Sequence, residues 1–167
     1  MSQIEIVEGN ILDAFERGEE IVHCVSSDFE MGVGVAKTLS DATPSLRPYL
    51  RKTYPFPKSF SEFKPFTAVW EEGDRVIYNL ATKYRYFNKP TLDTLRISIM
   101  TLMSVLERKH KDEQEINISM PMIASGCDRV HWCVTEKLLK ELLSDTVKIK
   151  VYVYNPRGKR SYHEWWC

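Results

Sequence analysis

Two charged residues of this chain stand where an apolar strand gives way to a loop. Lys83 lies just beyond the run Arg75–Ala81, and Asp128 lies a few residues past Glu115–Met120. A lysine amine freed of its proton in a cleft is a nucleophile, and a carboxylate beside it can carry protons. Each has a plainer alternative: a strand-end lysine can be solvated, and an aspartate after Ala124-Ser125-Gly126 can cap a turn. Three loops could surround such a pair. Gly9-Asn10-Ile11 offers a side-chain amide able to bond a heterocycle edge, or to bond its own backbone in a turn. Ser26 to Ala36 contains Gly32 and Gly34, spaced so that amides opening a helix could converge on an anion, although such pairs are often only turns. It lacks a third glycine, because Lys37 occupies that position, and it lacks the phosphate-loop lysine. The third loop is Ala124 to Asp128, whose small residues let backbone amides approach a ligand. Cys127, His131 and Cys133 crowd together, but no second ligand pair stands at zinc spacing, so no metal is expected. His23, beside Cys24 in an apolar run, reads as a core histidine.

The surrounding elements interleave. Ile4–Glu8 and Glu20–Ser26 read as strands, the second apolar enough to be buried on both faces. Five of the eight prolines fall between Pro44 and Pro65 with Phe56, Phe60 and Phe63, which predicts an irregular covering segment without long helices. Phe66–Glu71 and Arg75–Ala81 flank Glu72-Gly73-Asp74 as a hairpin. Leu92, Leu95, Ile99, Leu102, Met103 and Leu106 mark a long amphipathic helix, with Pro90 before it and Asp93 in its first turn. Leu138, Leu139, Leu142 and Leu143 mark another, with Thr135 as the expected N-cap and a Val134–Leu139 staple. Val147–Tyr154 alternates as a final strand. The class is α/β with a mixed sheet.

Lys+Arg and Asp+Glu both number 23 in 167 residues, which argues against a general nucleic-acid or membrane-surface binder. The four cysteines form no C-x-x-C pair and no disulfide framework, as suits a reducing compartment. With no signal peptide or spanning segment read from the sequence, an intracellular protein of nucleus or cytoplasm is expected, monomeric and without a membrane partner. The tail from Pro156 is basic and aromatic. It either docks on the domain, is disordered, or stacks on single-stranded nucleic acid.

Taken in order, the pieces resemble the macro domain, an ADP-ribose-binding fold, in the branch of the terminal ADP-ribose protein glycohydrolases. The matching pieces are Glu8-Gly9-Asn10-Ile11, His23-Cys24-Val25-Ser26, Met31-Gly32-Val33-Gly34-Val35-Ala36, Tyr78-Asn79-Leu80-Ala81-Thr82-Lys83, Lys89-Pro90-Thr91, and Ser119-Met120-Pro121 leading to Gly126-Cys127-Asp128-Arg129-Val130 and Trp132. The likeness implies a macro domain over residues 1–155, with a tail at 156–167. It implies about six mixed strands flanked by helices on both faces and ADP-ribose at the strand ends, with no cofactor. Gly9, Asn10 and Ile11 would meet the adenine. Ser26, Met31, Gly32, Val33, Gly34, Val35 and Ala36, with Thr82 and with Ala124, Ser125, Gly126 and Cys127, would complete the ligand contacts. Lys83 would attack C1″ of the distal ribose and Asp128 would move protons, releasing ADP-ribose from acidic side chains of mono-ADP-ribosylated proteins and from O-acyl-ADP-ribose. A non-catalytic reader and an ADP-ribose 1″-phosphate phosphatase are the alternatives. Two positions depart from the pattern. Asn10 stands where aspartate is frequent, and Ala124-Ser125-Gly126 stands where close relatives carry Gly-Cys-Gly.

Overall fold

The computed structural model describes residues 3–126 and 128–154; the predicted tail and Cys127 lie outside them. The strands are β1 (Gln3–Glu8), β2 (Ile21–Ser26), β3 (Phe66–Glu72), β4 (Arg75–Lys83), β5 (Ile116–Met120) and β6 (Val147–Val153). They form one sheet in the order β1-β6-β5-β2-β4-β3. Every neighbouring pair is parallel except the β3–β4 hairpin. The mixed α/β sheet of six strands is therefore as expected.

Helices α1 (Ile11–Glu16), α2 (Gly34–Ala42) and α3 (Leu46–Thr53) cover one face, and α4 (Leu92–Lys109) and α5 (Trp132–Leu142) cover the other. Each face has its own core. Ile21, Val25, Ile77 and Ala81 pack with Phe15, Phe29, Leu39 and Leu46, whereas Val22, Tyr78, Leu80, Ile118 and Ile149 pack with Leu95, Ile99, Leu102 and Trp132. Burial on both faces explains why β2 and β4 are nearly continuous apolar runs rather than alternating ones. β2 touches β5 at a single register pair, Ile21 with Ser119.

Three expectations are corrected. The proline-rich segment holds no long helix, as expected, but it is less irregular than read, because it contains the eight-residue α3. Pro48 sits in its first turn, where a missing N–H costs nothing, and Leu46 and Leu50 are both fully buried. α5 begins at Trp132 after an N-cap at His131, so Thr135 lies within the helix, buried, and its hydroxyl has no partner among the described residues. The indole of Trp132 wins over the polar capping signal because burying it removes far more apolar surface from water. Cys133 is disulfide-bonded, where the cysteine spacing was read as giving no disulfide framework, and Cys24 is free. The hairpin behaves as read, with Gly73 at φ 61° between β3 and β4. The long helix α4 starts on a capping box in which Thr91 and Thr94 satisfy each other's backbone amides.

Candidate functional site

Five strands run the same way, so their carboxyl ends bring distant pieces of sequence to one edge of the sheet, where open α/β sheets bind ligands. β1 delivers Gly9 and Asn10, β2 the 27–33 loop, β4 Lys83, β5 the 121–131 loop and β6 Tyr154. Lys83 is the last residue of β4, two residues beyond the sequence estimate. Its Nζ lies 2.5 Å from Asp128 Oδ1, with side-chain exposures of 13% and 7%. Two residues 45 apart in sequence thus form a pair largely withdrawn from water, and only a cleft reaches them.

The supports of each partner are distinct. The Ser27 N–H donates to the Lys83 carbonyl at 2.9 Å, and the Ser27 hydroxyl donates to the Tyr84 carbonyl at 2.6 Å. These bonds fix the end of β4. On the other side, the Val130 N–H returns to the Ala124 carbonyl at 2.7 Å and Arg129 N–H to Gly126 O at 3.1 Å, closing the loop that presents Asp128. Ala124 and Arg129 hold φ of 63° and 56° there. For residues with a Cβ this left-handed backbone costs about 1–2 kcal/mol each. At Ala124 the strain falls on the very residue that stands where close relatives would have glycine.

A cleft of about 450 Å³ opens above the pair, lined by Ser26, the Met31–Ala36 segment, Ala124, Gly126, Lys83 and Asp128. It continues past Gly34, Val35, Pro121, Met122 and Gly126 into a second depression lined by Asn10, Ile11, Ser125, Tyr152 and Tyr154. The expected ligand residues are therefore largely brought together along one groove. Gly9 and Thr82 are not in its walls. A side chain on Gly9 would press to 3.2 Å of the Tyr152 ring. Thr82 is fully buried, one residue out of phase with Lys83 along the strand. A Cβ on Gly32 or Gly126 would meet nothing within 4 Å, so the fold itself has no steric demand for glycine at either position. Their bareness opens the groove.

The electrostatics are unusual for an anion site. The cations lining the groove among the described residues are Lys83, bonded to Asp128, and Lys37, bonded to Asp41 at 2.5 Å. What remains for an anion is the start of α2. Its N-cap, Val33, supplies no side-chain bond, so the first amides of the helix are left without a side-chain cap, and Gly34, Val35 and Ala36 line the cleft. Asn10 has settled into the backbone-bonded alternative: its side-chain oxygen accepts from Leu12 N–H at 3.0 Å and caps α1. One lone pair of that oxygen and the amide NH2 remain for a ligand.

Cys24 also lines the cleft, but burial first, and the Asp128 charge second, push its thiol up to about 12. It is therefore a neutral thiol near neutral pH, a poor nucleophile. His23 is a core histidine, as read. It is 1% exposed, and its Nε2 meets Asn79 Oδ1 at 2.6 Å. That oxygen can only accept, so Nε2 carries the proton and Nδ1 is bare, with no partner among the described residues. Burial lowers the His23 pKa from 6.5 to about 4. An unfolded chain takes up a proton below pH 6.5 that the folded chain refuses until about pH 4. Stability is therefore expected to fall as pH drops through that window, by about 3 kcal/mol in all. Thermal melts between pH 7 and 4 should show this slope, and His23→Phe should flatten it.

Two residues important to the site carried no chemical flag. Asp28 accepts from the Ser26 hydroxyl at 2.5 Å, from Glu30 N–H at 3.1 Å and from Tyr86 N–H at 3.0 Å, tying the 27–33 loop to the chain beyond Lys83. Phe29 is 1% exposed and anchors that loop in the core at φ 49°. The Ser-Ser-Asp sequence was a turn signal for the first; an aromatic within a polar loop was the only hint of the second.

A sheet of this order, with a groove across its strand ends and glycine-bearing loops on either side, is the macro domain architecture, and the chain belongs to the macro domain family. It is 30% identical over 152 residues to the bovine (Bos taurus) ADP-ribose glycohydrolase OARD1, covering 90% of this chain and 91% of that protein. Among solved structures it is similar to the macrodomain of Thermus aquaticus DarG, with a TM-score of 0.72 at 21% identity, covering 92% of this chain and 99% of that one. The Thermosipho africanus DarTG structure in complex with ADP-ribose aligns with a TM-score of 0.69 at 15% identity over 96% of this chain and 43% of that one. No family profile matches the chain.

Proposed function

We propose that this protein binds ADP-ribose and hydrolyses it from glutamate and aspartate side chains, and that it also deacylates O-acyl-ADP-ribose. The observation that carries the reading is the Lys83–Asp128 pair in the wall of the cleft. The relative named ADP-ribose glycohydrolase and the fold shared with a protein in complex with ADP-ribose support the ligand. In this reading the adenosine lies by Asn10, Ile11 and Tyr152, the diphosphate meets the first amides of α2 and the Ser125-Gly126 turn, and the distal ribose sits over Lys83.

The chemistry follows from the pair. At rest the ammonium and carboxylate hold each other, and an amine attacks only when unprotonated. Ligand filling the cleft removes the remaining water, which disfavours two separate charges relative to a neutral amine and carboxylic acid. The proton passes to Asp128. Lys83 Nζ then bonds to C1″ as the C1″–O bond breaks, its electron pair leaving with the protein carboxylate, which takes the proton from Asp128. Water next attacks C1″, gives a proton to Asp128 and displaces the amine. Return of that proton to Lys83 restores the ion pair. The sum is one ester and one water giving one carboxylic acid and free ADP-ribose.

The test is incubation of the protein with glutamate-linked mono-ADP-ribosylated protein, following free ADP-ribose. Catalytic release beyond one equivalent is the expected result. Tight ADP-ribose binding without release would make the protein a reader, in which Lys83 and Asp128 only hold the ribose.

A further inference from the structure

Directly after Lys83 the chain runs through Tyr84, Arg85, Tyr86 and Phe87, and it meets there the aromatics of the proline-rich segment. Phe56 stacks on Tyr84 at 4.7 Å between centroids, Phe60 packs edge-on to Tyr84 at 5.9 Å, and Tyr86 packs edge-on to Phe87 at 5.3 Å. Phe60, Tyr86 and Phe87 are nonetheless 69%, 61% and 61% exposed. Arg85 lies over Phe56 and Tyr84 at 5.3 and 5.5 Å from their ring centres. Solvated loops rarely gather exposed aromatic rings in this way, and such patches mark interaction sites. The patch is continuous with the groove, because Tyr86 also lines the cleft above Lys83, held by its amide bond to Asp28.

We propose that this rim receives an acidic stretch of the polypeptide that carries the modified side chain. The inference rests on the hydrolase reading above and extends it to the leaving group. ADP-ribose fills the groove on one side of C1″, so the protein attached to C1″ must leave the cleft on the other side, over Tyr86. Charge selects the kind of chain. Residues 56–64 and 84–87 carry Lys58, Lys64 and Arg85 against the single acid Glu62, so flanking aspartates and glutamates would find cations. Ring geometry favours a peptide over a nucleic acid. The rings are packed face-on or edge-on to one another and offer edges and notches for side chains, rather than a row of free faces for bases.

The experiment compares kcat/KM on three glutamate-linked ADP-ribosyl peptides, flanked by acidic, neutral or basic residues, with kcat/KM on O-acetyl-ADP-ribose, which has no polypeptide. Phe60→Ser and Arg85→Glu change exposed side chains away from the groove. Each is expected to lower kcat/KM about tenfold on the acidic peptide and to leave the small ester unchanged, and Arg85→Glu should shift preference toward the basic peptide. Equal turnover of the three peptides by the wild type would overturn the proposal while leaving the hydrolase reading intact. Competition by a single-stranded oligonucleotide at concentrations below those of the peptide would overturn it in favour of a nucleic-acid rim. Absence of turnover on every substrate would refute the hydrolase reading, and this proposal with it.

Discussion

Replacement of Lys83 by arginine is expected to leave ADP-ribose binding within a few-fold of wild type while lowering turnover of the glutamate-linked substrate by roughly 10³-fold, about 4 kcal/mol of transition-state stabilisation. The guanidinium keeps a cation opposite Asp128, whose side chain is 7% exposed, but it stays protonated and cannot attack carbon. Lys83→Ala should lose turnover equally and also lose stability. Removing one member of a buried pair strands the other charge, at a cost of about 3–5 kcal/mol before relaxation. Comparison of the two separates chemistry from folding. Asp128→Ala takes away the carboxylate that holds the Lys83 ammonium, and a carboxylate leaving group departs without needing a proton, so attack should survive in reduced form. With no group to take the proton from water, the Lys83 adduct should then persist, visible as a gain of one ADP-ribosyl group in intact mass. Turnover surviving in Lys83→Arg would assign the attack to water and leave Asp128 as its base.

The second large effect is expected from a residue that touches no ligand. Trp132 is fully buried at the start of α5, and its indole N–H donates to Glu136 at 3.1 Å. It is the first fixed point after the loop that holds Asp128. Trp132→Ala should cost about 3–5 kcal/mol through lost burial and the cavity left behind. For a domain of this size that corresponds to a melting temperature lowered by about 10 °C or more. Turnover at a temperature where the variant is still folded should fall more than ADP-ribose affinity does, because the loop presenting Asp128 loses its anchor while α2 and Asn10 keep theirs. A variant that melts early yet turns over normally would show that the internal bonds of residues 124–130 suffice to place the carboxylate.

The fold was legible wherever period and burial agreed. β6 alternates, β2 and β4 are continuous because two cores flank them, and α4 repeats its leucines and isoleucine at helical spacing. Two of the misreadings share a cause. At α3 and at the start of α5, a local polar or proline signal competed with a large apolar side chain whose burial only the tertiary structure reveals. Asn10 was read with two fates, and the helix cap came out, since its oxygen lies within reach of an amide two residues on. The joining of Lys83 to Asp128 was beyond any local pattern. Each residue alone reads as a strand end or a turn, and only the ordered set of loops, through its likeness to a family, put them in one site. Phe29 and Asp28 stayed hidden because their roles are to hold a loop, which leaves no signature of spacing.

The single register pair between β2 and β5 gives the molecule a seam. On one side β1, β6 and β5 form a continuous ladder, and on the other β2, β4 and β3 form a second. Lys83 rides on the second ladder and Asp128 hangs from the first, so the ion pair is a strut across the join. A slide of one block past the other by an ångström would change the distance between amine and carboxylate without breaking a rung in either ladder. In the proposed reaction, the distance over which the proton passes would then depend on how the two ladders align, and a ligand touching both would act on that distance.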